Sequence, residues 1–304
     1  MAGNSQVRGQ FNEKLFTSNL NKVFGLGYKD YPAKYTEVFN TENTDRWFVE
    51  NISMVGIGPM AQKNELGPIA PQNIMSGWLV RYDMLRYATA LSFSYELIKD
   101  MRYGQIAKAT KLFGKSAMIT RELLASNYLN TGFTTNWHAT DAVPFFSTAH
   151  KLQDGSATTV ANTFTVQADL SLTSLQQAMD GIANWVDNKG NKTVYTPQNL
   201  WFGVGQRWAA EEYLKSPDRP DTANRAINVM QGTVTPKLWH YIDDQDAWFI
   251  QCSEHSLMWY DRDPLETGSE MVPMSAGDMF YYATFRCDCG ADDWRGWWGS
   301  TGAG

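Results

Sequence analysis

The stretch LSFSYELIKDMRYGQIAKATKLFGKSAMITRELLASNY, Leu91 to Tyr128, decides how the rest of the chain is read. From about Leu97 onward, Ile106, Thr110, Phe113, Ala117, Thr120, Leu124 and Tyr128 share one sector of a wheel turned by about 100° per residue, and Lys108, Lys111 and Lys115 fall nearly opposite. The spacing predicts one helix over 97–128, a rod of about 45 Å at about 1.5 Å per residue. That is far longer than the usual helix of about 11 or 12 residues. By itself the lysine face reads as solvated helix surface.

On the N-terminal side, the β-type runs Trp47 to Val55 and Trp78 to Tyr95 are separated by Gly56, Gly58, Pro59, Gly67, Pro68, Pro71 and Gly77. This pattern predicts a long hairpin whose tip has too little apolar content to be buried, so it should project. Residues 1–45 read as an arm: Leu15, Leu20, Val23 and Phe24 form a short amphipathic pattern, Gly25, Gly27 and Pro32 follow, and a polar stretch ends at Asp45. Alone, such an arm has little to pack against.

On the C-terminal side, 131–165 is loop-like. A second helix is expected from Leu172 to Val186, with Leu172, Leu175, Met179, Ile182 and Val186 inward, Ser171 or Thr173 as cap and Gly190 as stop. Pro197 to Val204 reads as a strand, Arg207 to Leu214 as a helix, and Ser216 to Arg225, with Pro217 and Pro220, as a turn-rich segment. Strand-like runs follow at Leu238 to Ile242, Ala247 to Gln251, Ser256 to Tyr260 and Met279 to Cys289. The fold class is α+β, with no βαβ alternation and no repeat.

Composition narrows the function. The 304 residues include 12 Trp, 14 Tyr and 15 Phe, and only 19% are charged against about 25% in ordinary soluble domains, which suits a surface that meets partners. The net charge of −6 divides into +4 over residues 1–130 (15 basic, 11 acidic) and −10 beyond (11 basic, 21 acidic). No polybasic tail signals specific nucleic-acid binding. Cys252, Cys287 and Cys289 suit no simple disulfide framework and point to a reducing compartment. The N-terminus has no apolar signal region and no run approaches 18 apolar residues, so neither a signal peptide nor a membrane span is expected.

The chemical motifs resolve to bland readings. Ala109 to Ser116 matches a permissive phosphate-loop pattern, but it lies inside the helical stretch, where backbone N–H groups are already bonded. Gly203-Val-Gly205 lacks a third glycine. Cys252 and His255 with Cys287 and Cys289 could suggest zinc, yet C-x2-H on a strand points its ligands to opposite faces. His138, His150, His240 and His255 carry no hydrolase signature, and Glu211-Glu212 and Asp243, Asp244 and Asp246 read as solvated acidic surface. No catalytic residue, cofactor or metal ligand is expected. Trp294, Trp297 and Trp298, with Trp47 and Trp78 flanking the hairpin, read either as core filling or as stacking and interface surfaces.

Arm, Gly/Pro-rich hairpin, a strand running into Ala90 to Asp100 and then a long helix occur in an order that resembles the major capsid proteins of tailed bacteriophages, including the Mu-like major head subunit group. Leu172 to Lys215 resembles that family's axial-domain stretch, and Asp246-Ala-Trp-Phe-Ile and the ending from Phe285 to Trp297 also fit. The resemblance implies a Hong Kong phage-type (Johnson) coat fold. Its parts would be an N-terminal arm over 1–45, an extended hairpin and return strand over 46–95, a peripheral domain with the spine helix over 96–165, an axial domain over 166–250 and return strands over 251–304.

It further implies a structural subunit, not an enzyme, forming hexamers and pentamers of an icosahedral head around double-stranded DNA, assembled in the host cytoplasm and residing in the virion. A separate scaffolding protein, a portal protein and a decoration protein are the implied partners, with no membrane partner. Candidate interface residues are Lys63, Glu65, Trp78, Trp294 and Trp297; Lys108, Lys111 and Lys115 would face the genome without reading its sequence. The competing class is a Trp-rich carbohydrate-binding or lytic phage protein, and a nucleotide-using protein ranks third.

Overall fold

The computed structural model describes every residue except 1–3, 61, 66–68, 70, 73–75, 101–102, 135–140, 154–157, 220–225, 272–277 and 304. Gly67, Pro68, His138, Pro220 and Arg225, invoked above, lie outside the described residues. In chain order the elements are α1 (Asn4–Lys29), α2 (Tyr35–Val38), β1 (Asn40–Asn43), β2 (Phe48–Met54), β3 (Ser76–Asp83), β4 (Leu85–Phe93), α3 (Tyr95–Lys99), α4 (Tyr103–Asn130), β5 (His150–Lys151) and β6 (Thr159–Val160). Then come α5 (Leu172–Ala183), β7 (Pro197–Phe202), a 3-10 turn (Val204–Gln206), α6 (Arg207–Lys215), β8 (Thr235–Leu238), β9 (Trp248–Cys252), β10 (Leu257–Met271), β11 (Met279–Ala291) and β12 (Trp297–Ser300).

Two four-stranded sheets organise the chain, ordered β1-β10-β11-β4 and β12-β9-β7-β8. The first rests on the long β10–β11 antiparallel pair, with β4 antiparallel on one edge and β1 parallel on the other. The hairpin β2–β3 stands apart as its own two-stranded ribbon. One core joins the two sheets, running from Trp201, Trp239 and Phe249 to Trp259, Phe285 and Cys287; a second, holding Leu20, Phe24, Ile106, Phe113 and Tyr281, lies beneath the two long helices.

The architecture is α+β as expected, with several boundaries moved. The long helix begins at Tyr103, because Leu97 belongs to α3, where the Ser94 hydroxyl accepts the Leu97 N–H and Asp100 ends the turn. Its 28 residues span about 42 Å at about 1.5 Å each. Helix α5 starts at the expected Ser171 cap, but stops at Ala183 rather than Val186. Val186 instead bridges Lys192, and the Asp187 carboxylate ties down the Lys189 and Asn191 N–H groups on either side of Gly190 (φ +79°). The run from Trp78 to Tyr95 is not one strand but two, broken at Met84, whose N–H bonds Trp47 O at 3.2 Å. The strand expected at Leu238 to Ile242 sits earlier, at Thr235–Leu238.

The largest departure concerns the arm. Residues 4–29 form one helix docked on α4, not a loose segment. A Cβ on Gly27 would sit 2.1 Å from Lys111 O, and one on Gly114 would sit 2.2 Å from Phe24 O. The two helices therefore cross backbone to backbone, and only paired glycines permit it. Phe24 then reaches Phe113 at 5.4 Å and Tyr281 at 6.1 Å, both edge to face. Thr17 and Asn21 extend the contact to Ser269, Thr267 and Tyr281.

Candidate functional site

Among the described residues, no three His, Cys, Asp or Glu side chains come together as a metal site. Ala109 to Ser116 lies within α4, so no free N–H nest exists there. Cys252 and Cys287 are buried, and burial pushes both thiols up to about 12, which makes them inert packing groups. Asp243 accepts from Asn130, Asp244 from the Asp246 N–H and Asp246 from Gln206, while Glu211 pairs with Lys215. These acids tie loops and a helix turn together. What the surface offers is contact area, chiefly at the hairpin and along α4.

The hairpin exposes Ile52, Ile57, Met60, Ile69 and Leu79, each at least 55% accessible, and Trp47 stands exposed at its base. Lys63 and Glu65 lie exposed beyond the β2–β3 pair. Trp78 is 37% exposed, and its backbone N–H bonds Ser53 Oγ at 2.8 Å across the ribbon. The root is held firmly. Asn51 Nδ2 donates to Tyr260 OH (2.8 Å) and to both Asp292 oxygens (3.0 and 2.9 Å), Tyr82 OH donates to Asp292 Oδ1 (2.6 Å), and the Asp83 N–H meets Asp288 Oδ2 at 2.9 Å. Val80, Tyr82, Met84 and Tyr260 bury the apolar side of this joint. Burial, then the Asp292 charge, raises the Tyr82 phenol far above its ordinary value, so it stays a donor. Exposed apolar side chains are thus carried on a ribbon whose root is firmly held.

The long helix carries a buried clamp that sequence reasoning missed. Glu122, 1% exposed, accepts from the Lys34 N–H (2.6 Å), the Tyr35 N–H (3.0 Å) and Trp239 Nε1 (2.7 Å). Arg121 beside it donates to Tyr35 OH and Asp261 Oδ2, both at 3.0 Å, with its guanidinium 4.8 Å from the Phe285 ring. Two charged side chains on α4 thereby join α2, β10, β11 and the segment after β8. A signal existed: on the wheel Arg121 falls at the edge of the apolar sector, an odd place for a charge unless a partner waits there.

The sequence-derived interface residues divide. Trp294 and Trp297, 6% and 0% exposed, are interior, which corrects the expectation that they meet neighbouring subunits. Trp294 stacks on His150 (4.5 Å, 8°) and meets Trp185 edge to face; Trp297 contacts His255. His150 pins the preceding loop: Asn162 Oδ1 accepts from the Ser147 N–H (2.8 Å), so His150 Nε2 at 3.1 Å is a donor to it, and Nδ1 meets Asp141 Oδ2 at 2.7 Å. The indole area here is already covered by the chain itself.

The three lysines of α4 are exposed and line a groove of about 490 Å³ together with Gly27, Asp30 and Leu112. Lys111 pairs with Asp30 at 2.6 Å, and Lys115 stands over the Tyr31 ring at 5.3 Å. The stripe is therefore partly engaged in holding α1 rather than wholly free.

Residues 79–299 match the model of a family described as phage capsid protein. No curated protein matches the sequence. Among solved structures, the chain is similar to the asymmetric unit of the bacteriophage PhiM1 mature capsid, at TM-score 0.57 and 8% identity over 88% of this chain and 86% of that one. It is also similar to a structure from Mycobacterium phage Patience, at 0.54 and 8% over 93% and 85%, and to the procapsid of bacteriophage JBD30, at 0.51 and 15% over 94% and 75%. At such identities the likeness is one of fold.

Proposed function

The chain belongs to the phage capsid protein family, a family of structural proteins and not of enzymes, and from that premise we propose that it is the major subunit forming hexamers and pentamers of an icosahedral head around double-stranded DNA. The observation that carries this is the hairpin: Ile52, Ile57, Met60, Ile69 and Leu79 stand in solvent on a ribbon rooted through Asp292. A monomer gains nothing from a rigid apolar lever, whereas a neighbour lying beneath it covers what the subunit leaves bare. In this reading 1–45 is the arm, 46–95 the extended loop with its return strand, 96–165 the peripheral domain, 166–250 the axial domain and 251–304 the returning strands. Lys63, Glu65 and Trp78 are the candidate interface residues on the lever. Lys108, Lys111 and Lys115 are the candidate genome-side charges, and scaffolding, portal and decoration proteins are the proposed partners.

The carbohydrate-binding alternative loses the C-terminal tryptophans, because Trp294, Trp297 and Trp298 are buried; of the exposed ones, Trp47 and Trp78 belong to the hairpin and Trp208 to α6. Negative-stain electron microscopy of the purified protein, alone and co-expressed with a candidate scaffold, tests the proposal. Rings of five or six subunits or closed shells are expected; uniform monomers under both conditions would refute it.

A further inference from the structure

We infer that the groove between α1 and α4 is a docking site for an acidic amphipathic helix of a partner protein. Lys108, Leu112 and Lys115 follow one another at four- and three-residue steps, so they form a single strip along α4. Leu112 is 67% exposed between the two ammonium groups, and Gly27 supplies part of the groove's lining with no side chain. Among the described residues no carboxylate pairs with Lys108 or Lys115, whereas Lys111 is already neutralised by Asp30. The strip therefore presents positive, apolar, positive, with its charges about 10 Å apart along the helix axis at about 1.5 Å per residue.

That pattern selects its occupant. A helix with acidic residues seven positions apart offers carboxylates at the same spacing of about 10 Å, with an apolar ridge between them to cover Leu112. Duplex DNA offers anions at the rims but no apolar ridge, and would leave Leu112 against phosphates. The chemistry favours the peptide. The inference stands on the groove itself and does not depend on the shell reading; it concerns the unassembled subunit, whereas the genome-side role of Lys108 and Lys115 belongs to a filled head.

The test uses the full-length, unassembled protein in fluorescence anisotropy. The probes are a labelled helical peptide of about 20 residues, with a leucine ridge flanked by glutamates at seven-residue spacing, its scrambled isomer, and a duplex of about 20 base pairs. The patterned peptide should bind at least about tenfold more tightly than the scrambled one. Lys108→Glu combined with Lys115→Glu should abolish binding, and Leu112→Ser should weaken it about fivefold with the thermal midpoint unchanged, since the side chain is exposed. Equal binding of both peptides, or no peptide binding, would overturn the inference. So would a duplex that binds more tightly than the patterned peptide and ignores Leu112→Ser, which would make the strip a phosphate-contacting face.

Discussion

Glu122 shows how one side chain can hold distant segments in place. It satisfies two backbone N–H groups at the start of α2 and the indole N–H of Trp239, of which the Tyr35 and Trp239 donors are buried. Glu122→Ala leaves two buried donors unpaired, each costing about 1 to 3 kcal/mol, so we expect a loss of at least about 2 kcal/mol in chemical denaturation. An unchanged midpoint would show that the site relaxes. His255 carries a pH dependence of definite sign. Burial beside Gln251 and Trp297 lowers its pKa from 6.5 to about 4, so between those values the unfolded chain binds a proton that the folded chain refuses. Stability should therefore fall as pH drops from about 6.5 to about 4, by no more than about 3 kcal/mol at about 1.4 per unit. In a His255→Phe variant the slope of stability against pH over that window should flatten; an unaltered slope would assign it to other groups.

At the scale of elements, periodicity found α4 and α5 because apolar side chains at helical spacing must be buried on one side. It could not find the docking of α1, since the arm's own pattern is short and the decisive residues, Gly27 and Gly114, have no side chain to count. Their role exists only where two backbones cross. Gly114→Leu should force α1 away from α4, at about 1 to 3 kcal/mol or more for overpacking, and expose α1 to limited proteolysis near Phe24. Retained protection would mean that the helices slide to accommodate the side chain. The two edges of the hairpin were similarly legible from Gly and Pro punctuation, but the break at Met84 was not. Trp78 to Tyr95 is continuous β-type sequence, and only pairing assigns its halves to different sheets.

For the whole molecule, energetics separate folding from assembly. Five exposed apolar side chains on the hairpin, at about 1.5 to 3 kcal/mol each on burial, offer roughly 8 to 15 kcal/mol gross. This is of the same order as the roughly 4 to 15 kcal/mol that association costs in lost freedom. One lever on one neighbour is therefore near balance, and closure into a ring, where every subunit both gives and receives a contact, would tip it. Replacing 57–75 by a short Gly-Ser turn should leave the thermal midpoint nearly unchanged, because buried Val55 and the root at Asn51, Tyr82 and Asp292 remain, yet abolish rings and shells under the microscope. Assembly of that variant would remove the hairpin from the mechanism. Sequence alone determined the α+β class, the long two-faced helix, the paired strands of the hairpin and the order of elements that resembles the family, because each is written in local periodicity or in turn residues. Only the tertiary structure decided that Trp294 and Trp297 are interior, that Arg121 and Glu122 form a clamp and that the arm is a docked helix. Each of these depends on what a side chain or a bare backbone meets from a distant part of the chain, and local spacing carries no record of that partner.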